Sequence, residues 1–175
     1  MVCPMGEVDE VMNEELVGQT VRLRPVVAAD RERVVEMRQT PEVARWWRGV
    51  DLGADFDESL AEGLMQFVIE APDGAVVGLV QVSEEPDPEY RHASIDILVD
   101  PAHHRQGYGT DALRTVIAYL GTQGHHRVTI DPSVDNAAAI ACYRRVGFEP
   151  VGVMRAYERQ SDGTWNDGLL MDLII

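Results

Sequence analysis

Ile95-Asp96-Ile97-Leu98-Val99-Asp100-Pro101-Ala102-His103-His104-Arg105-Gln106-Gly107-Tyr108-Gly109-Thr110-Asp111-Ala112-Leu113 is the stretch on which the reading of this chain turns. Its first half has the period of a strand. From Ala93 to Val99 alternate residues share a face, so Ile95, Ile97 and Val99 lie on one side and Ser94, Asp96 and Leu98 on the other. Its second half has the period of a helix: from Gly107 to about Gly121, Ala112, Leu113, Val116, Ile117 and Leu120 fall on one side, and Gly121 and Gly124 end the run. The join, His104 to Thr110, therefore lies between a strand end and a helix start, where backbone N–H groups lack intrahelical partners. Glycines at 107 and 109 let a ligand approach the backbone, and the helix dipole adds roughly half a positive charge. A pyrophosphate suits such a terminus, with His104 and Arg105 as further donors; a tight turn with no ligand fits the glycines equally. A dinucleotide-binding unit would want a third glycine early in a βαβ unit, and a P-loop would want Gly-Lys-Ser/Thr, whereas this chain has no lysine.

Outward from this stretch the order of elements is mixed. Upstream, Thr20 to Pro25 alternates as a half-buried strand, helical spacing runs from near Ala28 to Thr40-Pro41, and a short helical stretch carries Val43, Ala44, Trp46 and Trp47. An acidic segment, Asp51 to Glu62, precedes two β-rich runs, Gln66 to Glu70 and Ala75 to Ser83, joined by a Pro72-Asp73-Gly74 turn. Glu84 to Glu89 reads as a proline-broken loop. Downstream come a strand at Arg127 to Ile130 and a helix capped by Asp135 or Asn136 and running to Gly147. Strands around Val151 to Tyr157 and Trp165 to Ile175 follow, about an Asp162-Gly163 turn. Helices packed on a sheet, α/β or α+β, follow from this order. Residues 1–15 read as a flexible leader and residues 16–175 as one domain.

Thirty acidic against 15 basic residues give a formal net charge of −15 over 175 residues. Such a charge repels nucleic acid and anionic membranes and attracts cations, so a polycationic partner fits and a nucleic acid does not. No apolar run approaches a membrane span and no secretory pattern opens the chain, so the expectation is a soluble, cytoplasmic protein. Cys3 and Cys142 frame no disulfide scaffold, and the pairs His103-His104 and His125-His126 lack further ligands at metal spacing. No metal is expected.

Two blocks in order resemble the GNAT superfamily of acyl-CoA N-acyltransferases: the opening stretch, and Asn136-Ala137-Ala138-Ala139-Ile140-Ala141-Cys142-Tyr143-Arg144-Arg145-Val146-Gly147-Phe148. The resemblance runs from about Val21 onward. It implies a mixed, mostly antiparallel central sheet of six to seven strands with flanking helices, the fourth and fifth strands of the family's order splayed apart. It also implies acetyl-CoA as cofactor, with the pyrophosphate at His104, Arg105, Gln106, Gly107, Tyr108, Gly109 and Thr110. The pantetheine arm would lie against the backbone of Leu98 and Val99, flanked by Asn136, Ala139 and Tyr143. The family usually has Gln or Arg where His104 stands and often Gly where Arg105 stands. Because the turn binds through backbone N–H groups, that departure is expected to tune affinity rather than abolish it.

A narrower likeness is to aminoglycoside 6′-N-acetyltransferases, on Trp46-Trp47, Ser94-Ile95-Asp96, Thr129-Ile130-Asp131-Pro132-Ser133 and Leu170-Met171-Asp172. It implies acetyl transfer to an amine of a polycationic small molecule by direct attack in a ternary complex. A protein N-terminus or polyamine as acceptor, and a non-catalytic acyl-CoA sensor, are the alternatives; a monomer and a homodimer fit equally. An ammonium has a pKa of about 10, so a base must manage its proton. Asp96, a carboxylate midway along a strand, is the expected base. Asp131 either joins it in binding substrate or simply serves its Asp-Pro-Ser turn. Tyr143 fits a helix core by spacing, and the family pattern makes it the proton donor to the departing thiolate. Trp46 and Trp47 either wall the acceptor site or pin the early helices. The acidic tracts 51–62 and 84–89 are expected on the acceptor side.

Overall fold

A computed structural model describes residues 14–160 and 162–175. Its strands are β1 (Leu16–Val17), β2 (Arg22–Pro25), β3 (Met65–Glu70), β4 (Val76–Glu85), β5 (His92–Val99), β6 (Arg127–Ile130), β7 (Glu149–Arg159) and β8 (Trp165–Ile174). Helices α1 (Arg31–Gln39), α2 (Pro41–Ala44) and α3 (Leu52–Ala61) separate β2 from β3, α4 (Tyr108–Thr122) separates β5 from β6, and α5 (Ala137–Val146) separates β6 from β7. The strands form one sheet in the order β1-β2-β3-β4-β5-β6-β8-β7. Every neighbouring pair is antiparallel except β5 and β6, which run parallel and meet only at Ala93↔Val128 and Ser94↔Thr129. Beyond Ser94 the two strands part. This is the splayed pair; the added strand β1 shifts it to fifth and sixth.

Alternation along the strands feeds two cores, one on each side of the sheet. Phe67, Ile69, Val80, Val82 and Ile95 pack beneath Leu113, Val116 and Leu120 of α4 and Tyr143 of α5. Val68, Leu79 and Leu98 point the other way, against Val34 and Met37 of α1, Val43 of α2 and Phe56 of α3. Leu98 thus anchors β5 to the layer that carries Trp47, while Ile95 anchors it to the layer that carries α4.

Three elements depart from the sequence expectation. The acidic segment 51–62 is a helix: Asp51 caps it, accepting from Gly53 N at 3.1 Å and Ala54 N at 3.0 Å, and Phe56 is buried beneath it. Leu52, Phe56 and Leu60 carry its helical period, which the interspersed carboxylates obscure. Among the described residues the sheet has eight strands rather than six or seven, since the two-residue β1 is too short to show a period. Glu84 and Glu85 extend β4, opposite Ala93 and His92, because ladder hydrogen bonds are made by the backbone whatever the side chain. The Pro72-Asp73-Gly74 turn forms as expected, with Gly74 N donating to Ala71 O at 2.8 Å and Ala75 N to Asp73 Oδ1 at 3.1 Å.

Asp111, in the first turn of α4, ties the sheet edge to that helix. Its carboxylate accepts from the backbone N–H of Gln19, Thr20 and Val21 at 3.1, 2.7 and 3.0 Å. Burial alone would raise its pKa, but the N–H donors of Thr20, Val21 and Gln19 outweigh it and hold the group below its ordinary value. Its contribution is therefore full above the unfolded value of about 4 and lost as pH falls through the lowered native one. Asp111→Ala is expected to destabilise the fold by about 2 kcal/mol in urea unfolding at pH 7, and Asp111→Asn, which keeps an acceptor oxygen, by less.

Candidate active site

A cleft of about 1030 Å³ opens where β5 and β6 part. Trp46, Trp47, Asp96, Leu98, Val99, His104, Arg105, Gln106, Gly107, Tyr108, Gly109, Thr110, Asp131, Asn136, Ala139 and Tyr143 all contribute to its wall, so every site residue expected from the sequence is brought together here. Its charge is divided. His103, His104 and Arg105 border it before the start of α4 and Arg145 from the end of α5, whereas Asp96, Asp131, Asp167 and Glu158, the last paired with Arg48, border it near the end of β6 and the β7–β8 hairpin, and Glu42 reaches it from α2.

At the start of α4 the backbone is shaped for an anion. Gly107 precedes the helix with φ 87 and no side chain caps it, and the first helical bond runs from Asp111 N to Gly107 O at 3.0 Å. The N–H groups of Tyr108, Gly109 and Thr110 are thus left without intrahelical partners. Asp100 fixes the approach to this turn: it accepts from Ala102 N at 2.9 Å and pairs with the Arg33 guanidinium. Burial pushes the Asp100 pKa up, and these two donors bring it below its ordinary value.

Two expectations at this end are corrected. His104 Nε2 lies 2.8 Å from Val99 O. A carbonyl only accepts, so Nε2 carries the proton, and the ring latches the turn to the strand instead of offering that N–H to a pyrophosphate. The second concerns Leu98. Asp100 N donates to Val77 O at 2.8 Å, which with the Gly78↔Val99 register makes Leu79 and Leu98 the hydrogen-bonded pair. The peptide groups of Leu98 are therefore spent on β4, and those facing the gap are the N–H and C=O of Ile97 and the N–H of Val99, whose carbonyl already meets His104. Strand alternation shows which groups go together, but only the register shows which set is free.

Asn136 caps α5, its Oδ1 accepting from Ala139 N at 3.1 Å, so its amide N–H groups remain for a ligand. Cys142 Sγ lies 3.4 Å from Thr110 Oγ1, between α5 and α4, and also lines the cleft. Cys3 lies outside the described residues.

At the other end, Ser94 Oγ and Thr129 Oγ1 meet at 2.7 Å across the last paired positions. Asp96 and Asp131 stand two residues further along each strand direction and so on the same side. Asp96 is open to solvent from the cleft but ringed by protein, and its pKa is pushed up to about 6, first by burial and then by the charge of Asp131. Tyr143 is buried; burial, then Cys142, Asp96 and Asp131, raise its pKa above the ordinary value, so it keeps its proton. Trp47 packs against the α1–α3 core with Arg38 5.8 Å from its ring, and Trp46 carries Arg45 at 4.4 Å. Both tryptophans also face the cleft, so pinning the helices and walling the site are one arrangement.

The sequence reading missed the hairpin wall. Tyr157, Glu158 and Asp167 enter the cleft from β7 and β8, and Arg48 reaches across to Glu158 with Nη1 2.9 Å from Oε1. No period marks these residues; only the Asp162-Gly163 turn hinted that the chain folds back. The acidic tracts 51–62 and 84–89 take no part in the cleft wall, α3 lying against α1 and Glu84 meeting His125 Nε2 at 2.6 Å. Among the described residues no group of three or more His, Cys, Asp or Glu could hold a metal ion, and no helix is long and apolar enough to cross a membrane.

The acetyltransferase (GNAT) domain family model matches residues 20–149. The chain belongs to the GNAT acetyltransferases. It is 31% identical over 146 residues to the N-alpha-acetyltransferase RimI of Mycobacterium tuberculosis, covering 82% of this chain and 87% of that one. An Escherichia coli ribosomal-protein-alanine N-acetyltransferase is 36% identical over 80 residues, 46% of this chain and 53% of the relative. Among solved structures, Mycobacterium smegmatis RimJ with a CoA disulfide superposes with a TM-score of 0.77 at 24% identity, over 92% of this chain and 86% of that one. Spermidine N-acetyltransferase from Vibrio cholerae with CoA and spermine superposes at 0.76 and 19% identity, over 89% and 95%. These structures establish the GNAT fold. GNAT acetyltransferases use acetyl-CoA, and the open N-terminus of α4 beside the free edge of β5 fits that group.

The φ of 87 at Gly107 costs a residue with a Cβ about 1 kcal/mol or more, and relaxing it tilts the N–H groups of Tyr108 and Gly109. Gly107→Ala is expected to weaken CoA binding roughly tenfold in calorimetric titration, with the helical circular dichroism signal unchanged.

Proposed function

We propose that this chain transfers the acetyl group of acetyl-CoA to a primary amine of an aminoglycoside-like polycationic small molecule in the cytoplasm. The observation that carries this reading is the divided cleft: cationic where an anionic cofactor would lie, and bordered by Asp96, Asp131, Glu158 and Asp167 where the acceptor would enter. Glu158 is already paired with Arg48, which leaves Asp96, Asp131 and Asp167, still more negative charge than a single ammonium needs, and this favours an acceptor with several ammonium groups.

In this reading the N–H groups of Tyr108, Gly109 and Thr110 hold the pyrophosphate, with Arg105 beside them, and the edge of Ile97 and Val99 with Asn136 and Ala139 aligns the pantetheine arm. Acetyl-CoA supplies the acyl group, which passes directly to the amine. Asp96 is the base. Its raised pKa brings it toward the operating pH, where a carboxylate accepts the ammonium proton best while remaining ionised. Asp131 binds the ammonium beside it, and Trp46 and Trp47 limit water on the acceptor side. Tyr143, kept protonated, donates to the departing sulfur. An α-amino group of a protein N-terminus is the second reading, favoured by the 31% identity to RimI over 87% of that enzyme.

The kcat/KM profile should fall about tenfold per pH unit below pH 6, where Asp96 protonates, and be flat just above it. Asp96→Asn should lower kcat/KM by about 100-fold and remove that limb. Tyr143→Phe should lower kcat by roughly 10- to 100-fold with little change in the acceptor KM. Thiol release with kanamycin, spermidine and an alanine-initiated peptide separates the acceptors. Turnover of kanamycin supports the first reading and turnover of the peptide alone the second. Thiol release that survives both substitutions undiminished would remove Asp96 and Tyr143 from these roles.

A further inference from the structure

Two walls border the carboxylate end of the cleft. One is the loop after α2, which carries Trp46, Trp47 and Arg48, and the other is the β7–β8 hairpin, which carries Tyr157, Glu158 and Asp167. The hairpin wall exists because its ladder bulges. Met154 lies opposite Gly168 and Glu158 opposite Asn166, so Arg155, Ala156 and Tyr157 are accommodated against the single residue Asp167. Ala156, at the centre, has φ 49, in the left-handed region that a residue with a Cβ avoids, and its N–H is held by Asp167 Oδ1 at 2.8 Å. In a regular strand the neighbours Tyr157 and Glu158 would face opposite sides, yet here both line the cleft. Arg48 Nη1 meets Glu158 Oε1 at 2.9 Å, and among the described residues this is the one hydrogen bond or ion pair that joins residues 31–61 to the hairpin. A single contact straps the two walls together.

The strap can open at small cost. Its side chains are 27% exposed at Arg48 and 38% at Glu158, and an ion pair so placed gains little over two solvated charges. Arg48 Nη2 also donates to Arg45 O at 2.8 Å, so a guanidinium released from Glu158 keeps a partner and stays open to water. The loop itself is held from behind: buried Arg38 donates from Nη2 to Arg48 O at 3.0 Å and lies 5.8 Å from the ring of Trp47, which packs on the α1–α3 core. Opening the strap therefore leaves both walls in place. While it is closed, Glu158 is a carboxylate of the acceptor end already filled by one of the protein's own cations. We propose that Arg48 is a specificity-determining residue of the acceptor entrance: it occupies Glu158 as an internal cation, and an acceptor with two or more ammonium groups opens the strap by placing one of them on Glu158 in its stead. This rests on the acceptor site described above. A lone ammonium is drawn to Asp96 and Asp131 and leaves the strap closed. A second ammonium tethered to the first arrives at high effective concentration and competes with Arg48.

Calorimetric titration of the full chain, saturated with CoA, by spermidine and by the monocation n-butylamine tests this without turnover. Arg48→Gln should tighten spermidine binding about fivefold and Glu158→Gln should weaken it about fivefold. The double variant should bind spermidine as Glu158→Gln does, because Arg48 acts only through that carboxylate. Binding of n-butylamine should be the same in all four chains. A general effect of the Arg48 charge on cations would persist in the Glu158→Gln background and shift n-butylamine as well, and that outcome overturns the proposal. So does spermidine binding that is weaker or unchanged in Arg48→Gln, or absent from both that variant and the wild-type chain. If the expected pattern appears but no amine is acetylated, the acceptor reading fails while the exchange at Glu158 stands. If spermidine is acetylated with the same KM in the wild-type chain and in Arg48→Gln, the exchange fails and the acceptor reading stands.

Discussion

The parallel pairing of β5 and β6 stops after Ser94↔Thr129, and the rest of the site depends on that interruption. A parallel ladder continued past this point would consume the peptide groups of Ile97 and Val99 and close the sheet over the position of the cleft. Left open, the strands present an edge with unpaired donors and acceptors, and the exposed-edge problem that sheets ordinarily avoid becomes a place for a linear ligand. The anchors that hold β5 in place while it diverges come from both faces: Ile95 beneath α4, and Leu98 against the α1–α3 layer. Its far end is tethered by Asp100, bound to Arg33 and to the turn that leads into α4.

Charge is distributed against the composition. In a chain of net charge −15, one end of the cleft is bordered by Arg105, Arg145 and two histidines, while carboxylates gather at the opposite end, one of them paired with Arg48. The helix dipole of α4 reinforces the first pattern, since its N-terminus points at the same region. Asp96 shows the effect of the second: burial in the cleft, and then the charge of Asp131, make it harder to ionise. Net charge says little about function here; the separation of charge along one cleft says more.

Much of this was legible in the residues. The change of period at His104 to Thr110 marked a strand leading into a helix, and both form where expected. The alternation of Ser94, Asp96 and Leu98 put a carboxylate on the correct side of the strand, and Asn136 declared itself as a cap. The helix α3 stayed hidden because carboxylates fill half of the positions between Leu52, Phe56 and Leu60. His104 was misread because its nearest acceptor, the carbonyl of Val99, is supplied by the turn's own folding back. Tyr157 escaped notice because a bulge breaks the alternation by which strand faces are read, and neither the extra residues nor the left-handed Ala156 leaves a pattern in the sequence.

By itself the sequence determined most of the helices and strands and the passage from strand to helix at His104 to Thr110, because these follow from local period and turn chemistry. Only the tertiary structure decided that β5 turns the peptide groups of Ile97 and the N–H of Val99 to the gap rather than those of Leu98, that the carboxylates of the cleft come from α2, β5, the residue after β6, β7 and β8 instead of the acidic tracts, and that a bulge brings Tyr157 to the cleft wall. Those facts depend on strand register and on contacts between distant segments. Register is set by how whole faces pack against each other, which no local stretch of sequence contains.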